Sequence, residues 1–270
     1  MKRNLEAGSV KITYLGQAGF ILEWDGVRIV IDPYLSNYVV DGGIGSPELF
    51  SRAFPPPFRA GEVTGVKWIF LTHDHADHCD PQTVLPMHLA NPSARFVCPR
   101  PVAEHLQKVG IPSDLVLVPQ ILEKQQYGAM EFYAVPAAHY GFDMNPLTGE
   151  YAYFSFVIKM GSQWLVHSGD TIDYPDFVGN ILKFVSAVDI ACLPVNGRDV
   201  KREEMGIVGN LNSVEAYSLA ARLKSKVLIP IHNDLFTFNS EDPAILNDLA
   251  EKHKGELKIC WLTAGNQMEL

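Results

Sequence analysis

Short β-branched and aromatic runs open this chain twice, and each block gives way to alternating strand and helix patterns. In the first block "VKITYLG", "GFILEWDG" and "VRIVIDP" are separated by Gly and Asp-Gly turns, and Asp25-Gly26 is a two-residue hairpin signal. From residue 66, "VKWIFL" reads as a buried strand, "PQTVLPMHLANP" as a helix, "ARFVCP" as a strand and "PVAEHLQKVG" as a helix with a Gly stop. The second block is "MEFYAVPA", "YAYFSFVIKM" and "QWLVHSGD". Alternation then resumes with "PDFVGNILKFVS" as helix, "VDIACLPV" as strand, "NSVEAYSLAARLK" as helix, "KVLIPIH" as strand, "DPAILNDLAEKH" as helix and "LKICWL" as the closing strand. Two halves of this kind imply two sheets packed face to face with helices outside. The expectation is α/β class, a four-layer α/β/β/α sandwich, as one domain over residues 1–270.

Residues 36–65, "SNYVVDGGIGSPELFSRAFPPPFRAGEVTG", break this pattern: they are rich in Gly and Pro and hold no period. They predict a long surface loop, either a lid or an insertion without a role. A net charge of −9 and no basic cluster longer than "VKRE" argue against a nucleic-acid partner. No stretch approaches the roughly 18 apolar residues of a spanning helix, and "MKRNLEAGSVKITYLG" has no leader-like apolar run. Cys79, Cys98, Cys192 and Cys260 are dispersed without a CxxC pair. These features predict a cytoplasmic protein with no membrane partner; self-association stays open.

The chemistry concentrates in "LTHDHADHCDP". In an extended segment alternate side chains share a face, so His73 and His75 can converge on one point. As the chain turns toward a helix opened by Pro81, Asp77 and His78 can aim at a neighbouring point. One short motif can therefore serve two metals, and imidazole with carboxylate suits Zn, Fe and Mn. Further ligands are expected at the C-terminal ends of later strands, where His139, Asp170 and His232 stand.

In "IDP" with Asp32, "HDHADH", "AAHYG", "HSGDT" and "PIHND", the sequence resembles the metallo-β-lactamase superfamily over nearly its whole length. The resemblance implies that His73, His75 and His139 hold one metal, that Asp77, His78 and His232 hold a second, and that Asp170 bridges them. It places Asp32 beneath the site, orienting the ligand loop. Two ions about 3.5–4 Å apart lower the pKa of a shared water and polarise the group under attack. Hydrolysis of an ester, lactone, thioester or phosphodiester follows, without a Ser or Cys nucleophile.

Asp74 and Asp170 are the candidate catalytic carboxylates, Asp74 either as a proton shuttle or as a brace for its loop. His167 falls on the opposite face of its strand and reads as structural. Flavin-coupled di-iron members carry Glu where this chain has His75, secreted β-lactamases need a leader, and some carry Cys at the position of Asp170; none of these fits. Within the superfamily "HDHADHCDPQT", "SGDT", "LPVNGRD" with "GIVGNLNSVEA", and "PIHNDLF" resemble the L-ascorbate-6-phosphate lactonase group. That resemblance implies a small anionic substrate, a sugar-acid phosphate lactone, and manganese or zinc. Asn196, Arg198 and Asn233 are its candidate substrate contacts, with pairing of Arg198 to a surface acid the alternative. A phosphodiesterase of the same fold and a non-catalytic metal or ligand sensor are the competing functions.

Overall fold

The structure, a computed structural model, describes residues 9–253 and 257–270. The first half of the stretch read for a leader, residues 1–8, lies outside the described residues.

The first hairpin block forms β1 (Lys11–Gly16), β2 (Gly19–Trp24) and β3 (Val27–Ile31), all antiparallel. Asp25 and Gly26 both take positive φ, 43° and 71°, so Trp24 pairs with Val27 across the two-residue turn the sequence signals. Parallel strands β4 (Trp68–Phe70), β5 (Arg95–Val97) and β6 (Val116–Leu117) extend this sheet. The second sheet contains β7 (Gln125–Tyr127), β8 (Met130–Pro136), β9 (Phe154–Met160), β10 (Gln163–His167), β11 (Ile190–Pro194), β12 (Val227–Ile231) and β13 (Lys258–Ile259). Its order is β13-β12-β11-β10-β9-β8-β7, antiparallel from β7 to β10 and parallel from β10 to β13.

The sheets meet over an aromatic seam. Phe70 of the first stands edge-on to Phe132 and Phe156 of the second, both with ring centroids 5.0 Å away. Outside the first sheet lie α3 (Pro81–Ala90) and α4 (Arg100–Lys108), which bury Val84, Met87, Val102 and Leu106 against Val30, Ile69 and Phe96. Outside the second lie α5 (Phe177–Ile181), α7 (Ser213–Arg222) and α8 (Pro243–Lys252), packed on Val157, Val166, Ala191 and Leu193. The four layers are those expected. β11 and β12 are buried along their whole length because layers cover both faces, which is why their sequences run apolar without alternation.

Three expectations need correction. Residues 36–65 are not a structureless loop: they fold into α1 (Tyr38–Asp41), α2 (Pro47–Phe50) and a single 3-10 turn at Ala60–Glu62. "LKICWL" supplies only the two-residue β13, and the last strand is β14 (Gln267–Glu269), which returns to pair with β1 on the opposite sheet. A three-residue strand at a sheet edge is too short to carry a period. "PDFVGNILKFVS" is helical only over α5, and a short helix α6 (Val200–Glu204) follows β11 unannounced. Among the described residues no helix is long and apolar enough to cross a membrane.

Candidate metal centre

The expected ligands follow the C-terminal ends of strands: His73 comes after β4 with His75, Asp77 and His78 further along the same loop, His139 after β8, Asp170 after β10 and His232 after β12. Strand ends on both sheets thus deliver donors to one place. Asp32, the first residue after β3, organises the ligand loop from below. Its carboxylate accepts the Thr72 amide at 2.8 Å and the Thr72 hydroxyl at 2.6 Å. Its Oδ2 also lies 2.8 Å from Nδ1 of the fully buried His78. A proton on Nδ1 completes that hydrogen bond and leaves the Nε2 lone pair of His78 facing the site. The loop then turns through amides of His78 and Cys79 donated to the His75 carbonyl, and Asp80 caps α3 ahead of Pro81.

The donor atoms fall into three overlapping groups, each with its atoms within 4.8 Å of one another: His73, His78 and Asp170; His75, His139 and Asp170; and Asp77, His78 and His232. The third is the expected second-metal triad. The expected first-metal triad is divided between the other two groups, which share Asp170, the residue expected to bridge. Oδ2 of Asp170 is 3.3 Å from Nε2 of His232, and its Oδ1 is 3.3 Å from Nε2 of His78.

A cluster of this kind is costly unless something satisfies it. Nε2 of His73 is buried with no hydrogen-bond partner among the described residues, and Nε2 of His78 and Oδ1 of Asp170, equally buried, have only each other at 3.3 Å. Burial and the neighbouring imidazoles push His73 well below the usual histidine range, and burial takes His139 down to about 4. Burial also opposes charge on His232, but Asp170 and Asp77 outweigh it and raise it to about 9. Unpaired lone pairs beside carboxylates, with no thiolate among them, are the donor set of a divalent cation. The residues present fit a metal.

Gly169, next to Asp170, takes φ +59°, and a Cβ there would lie 2.7 Å from the Thr72 Cβ. Glycine lets the end of β10 press against the loop that Asp32 holds.

Three site residues escaped the sequence reading. Gln17, at φ 58° between β1 and β2, donates its side-chain amide to Asp77 Oδ2 at 2.8 Å and places it 3.0 Å from His232 Nε2. Tyr153 stacks on His73 at 4.9 Å and sets its hydroxyl 3.2 Å from His75 Nε2. His105 on α4 meets Asp74, with Nδ1 2.7 Å from Oδ1, and that hydrogen bond raises the His105 pKa. His167 behaves as read: it is buried, its Nε2 2.8 Å from the Ala18 carbonyl.

The expected substrate contacts stand elsewhere. Arg198 grips Glu215 with both terminal nitrogens, at 2.7 and 2.5 Å, and donates to the Asn210 carbonyl, so the alternative of pairing with an acid is the one observed. Asn196 is buried between Asn239 and Asn210, and Asn233 closes both its amide groups on the backbone of Glu241. None of the three lines the cavity of about 470 Å³ that opens onto the cluster. His75, Asp77, His139, Asp170 and His232 form its floor, Asp74 and His105 one wall.

Residues 27–233 match the family model described as "Beta-lactamase superfamily domain", and the chain belongs to that superfamily. A relative from Caldivirga maquilingensis named "UPF0173 metal-dependent hydrolase" is 26% identical over 266 residues, covering 96% of this chain and 97% of its own length. An uncharacterized protein of Mycobacterium tuberculosis is 25% identical over 228 residues, 84% of this chain; the match spans only 59% of that relative's length. Among solved structures, the metallo hydrolase Igni18 from the archaeon Ignicoccus hospitalis superposes with TM-score 0.69 at 20% identity, over 97% of this chain and 98% of its own. That likeness speaks for the fold.

Proposed function

We propose that this protein is a metal-dependent hydrolase of esters and lactones that works with two divalent ions, manganese, zinc or iron. His73, His75 and His139 would hold one ion, Asp77, His78 and His232 the other, and Asp170 both. The observation that carries this reading is the convergence of buried imidazole and carboxylate donors on one another, with Asp170 common to two of the three groups. Bound ions would supply an activated water at neutral pH and Lewis-acid polarisation of the carbonyl.

The chain's own residues do the rest. Asp32 holds His78 in one tautomer through its Nδ1. Gln17 fixes the Asp77 carboxylate, and the face of Tyr153 shields His73 from water. Asp74 and His105, hydrogen-bonded at the cavity wall, are placed to hold a proton for the leaving oxygen. The reading in which the substrate is a phosphorylated sugar lactone loses its anchor, because Arg198 is occupied by Glu215. Four unbridged cysteines support a cytoplasmic setting.

The test is metal-stripped protein reloaded with Mn²⁺ or Zn²⁺ and offered 4-nitrophenyl acetate, dihydrocoumarin and bis(4-nitrophenyl) phosphate, with bound metal counted by elemental analysis. The expected result is metal-dependent turnover of ester and lactone, near two ions per chain, and fewer ions in His232→Ala and Asp170→Asn. Cleavage of the phosphodiester alone would transfer the assignment to the phosphodiesterase reading. Metal binding with no turnover of any of the three would leave the sensor.

A further inference from the structure

The cavity above the cluster has an unusual wall for an enzyme once expected to bind an anion. Among the described residues no Lys or Arg lines it, whereas Asp74, Asp77 and Asp170 do. Arg198 and Arg202, on the segments flanking it, are engaged by Glu215 and Asp199. Opposite the cluster the lining is apolar, with Val39, Ile44, Leu49, Phe50, Ile207 and Phe236 forming an arc. Phe50 and Phe236 stand edge to face, centroids 5.4 Å apart, which fixes the aromatic corner of that arc.

Two further observations show that this apolar arc is open and reachable from the cluster. Ile44, Met205 and Val208 line the same cavity, yet remain 60%, 44% and 38% exposed. The arc is also continuous with the cluster, since one cavity holds both. Its volume of about 470 Å³ is of the size that encloses small molecules.

We propose that this cavity selects an uncharged substrate with an apolar body, an alkyl or aryl ester or lactone, seating that body on the arc of α1, α2 and residues 205–208, and that it rejects substrates carrying an anionic tail. The proposal rests on the hydrolase reading for its scissile bond, but not for its binding surface. The charge of an ion at the cluster would draw the reacting carbonyl. An anionic tail reaching past it would meet apolar side chains and find no cation, losing its hydration without replacement. The segment that sequence patterning leaves as a featureless loop is thereby the acyl-binding wall.

The experiment has a kinetic arm and a binding arm. Metal-loaded protein is given 4-nitrophenyl acetate, butyrate and hexanoate, and the mono-4-nitrophenyl ester of succinate as the anionic counterpart of butyrate. The expectation is a rise in kcat/KM of about fourfold for each methylene buried, with the succinate ester at least tenfold below butyrate. In parallel, the uncharged and uncleavable 4-nitrophenyl hexyl ether is titrated calorimetrically into wild type and Ile44→Lys, with and without metal. Ile44 is exposed enough that lysine there leaves the core untouched, and circular dichroism checks the fold. The ether is expected to bind wild type and to bind Ile44→Lys at least tenfold more weakly, while the variant's preference shifts toward the succinate ester.

Rates that are flat or falling with chain length, or succinate turned over as well as butyrate, would overturn the proposal. So would failure of the ether to bind wild type. Ether binding lost in Ile44→Lys, with no ester cleaved at any length, would instead uphold the cavity assignment and bring down the hydrolase reading.

Discussion

Asp32 shows how much a single buried carboxylate can organise. It takes three hydrogen bonds, from the Thr72 amide, the Thr72 hydroxyl and His78. Asp32→Asn keeps the volume but removes the charge and turns a donor toward groups that already donate. Breaking a fully buried partnership costs about 3–5 kcal/mol, and losing the group that orients a ligand lowers metal affinity about 10–100-fold. Urea unfolding of the metal-free protein and chelator competition read the two effects separately; unchanged values for both would remove Asp32 from this role. At this scale the histidines were legible because "HDHADH" is local, and a single turn at a strand's end keeps all its donors close together. Gln17 and Tyr153 were not, because their partners Asp77 and His75 lie 60 and 78 residues away in sequence and only the packed sheets bring them together. Arg198 misled for the opposite reason: a guanidinium suits a phosphate and a carboxylate equally, and Glu215 was the nearer match.

At the level of elements, α7 shows where that arginine belongs. Asn212 and Glu215 form a reciprocal cap on its first turn, and Glu215 also receives both arms of Arg198. Burial disfavours the Glu215 charge, yet Arg198 and the Asn212 amide outweigh it and hold the carboxyl below its usual range. Its stabilisation is therefore full above the unfolded-state pKa, about 4.3, and is lost as pH falls through the lowered folded value. Glu215→Gln is expected to destabilise by about 1–2 kcal/mol near neutrality, with the gap to wild type closing below about pH 4. A gap independent of pH in thermal melts would contradict this. Arg198→Ala is expected to lower stability similarly while leaving KM for neutral esters where it was. Long elements with strong caps, such as α3 and α7, could be read from the chain, whereas β14 and α6, three and five residues long, could not. Elements so short are made by their neighbours and carry little period of their own.

Across the whole molecule, the candidate ligands divide between the layers: His73, His75, Asp77 and His78 follow a strand of the first sheet, and His139, Asp170 and His232 follow strands of the second. An ion held by both groups is a clasp between sheets, so its removal is a test of global stability. Binding at 100 times its dissociation constant adds about 2.7 kcal/mol. A chelator is expected to lower Tm and added Mn²⁺ or Zn²⁺ to restore it, with His232→Ala recovering much less; a Tm indifferent to chelator would deny the clasp. The four layers were legible because hairpin blocks dictate antiparallel pairing and alternating segments parallel pairing, and each sheet joins one of each. The wall of the cavity was not, because α1 and α2 are single turns whose apolar side chains become a surface only when folded over the cluster. Beside Asp170 stands Gly169, its missing Cβ space taken by Thr72. Descendants of this chain can trade Ile44, Leu49 or Ile207 for other side chains and so try new substrates one substitution at a time. At position 169 the first added carbon displaces Thr72 and with it the grip of Asp32, so the lineage is free to change what it cleaves and bound to keep how it cleaves.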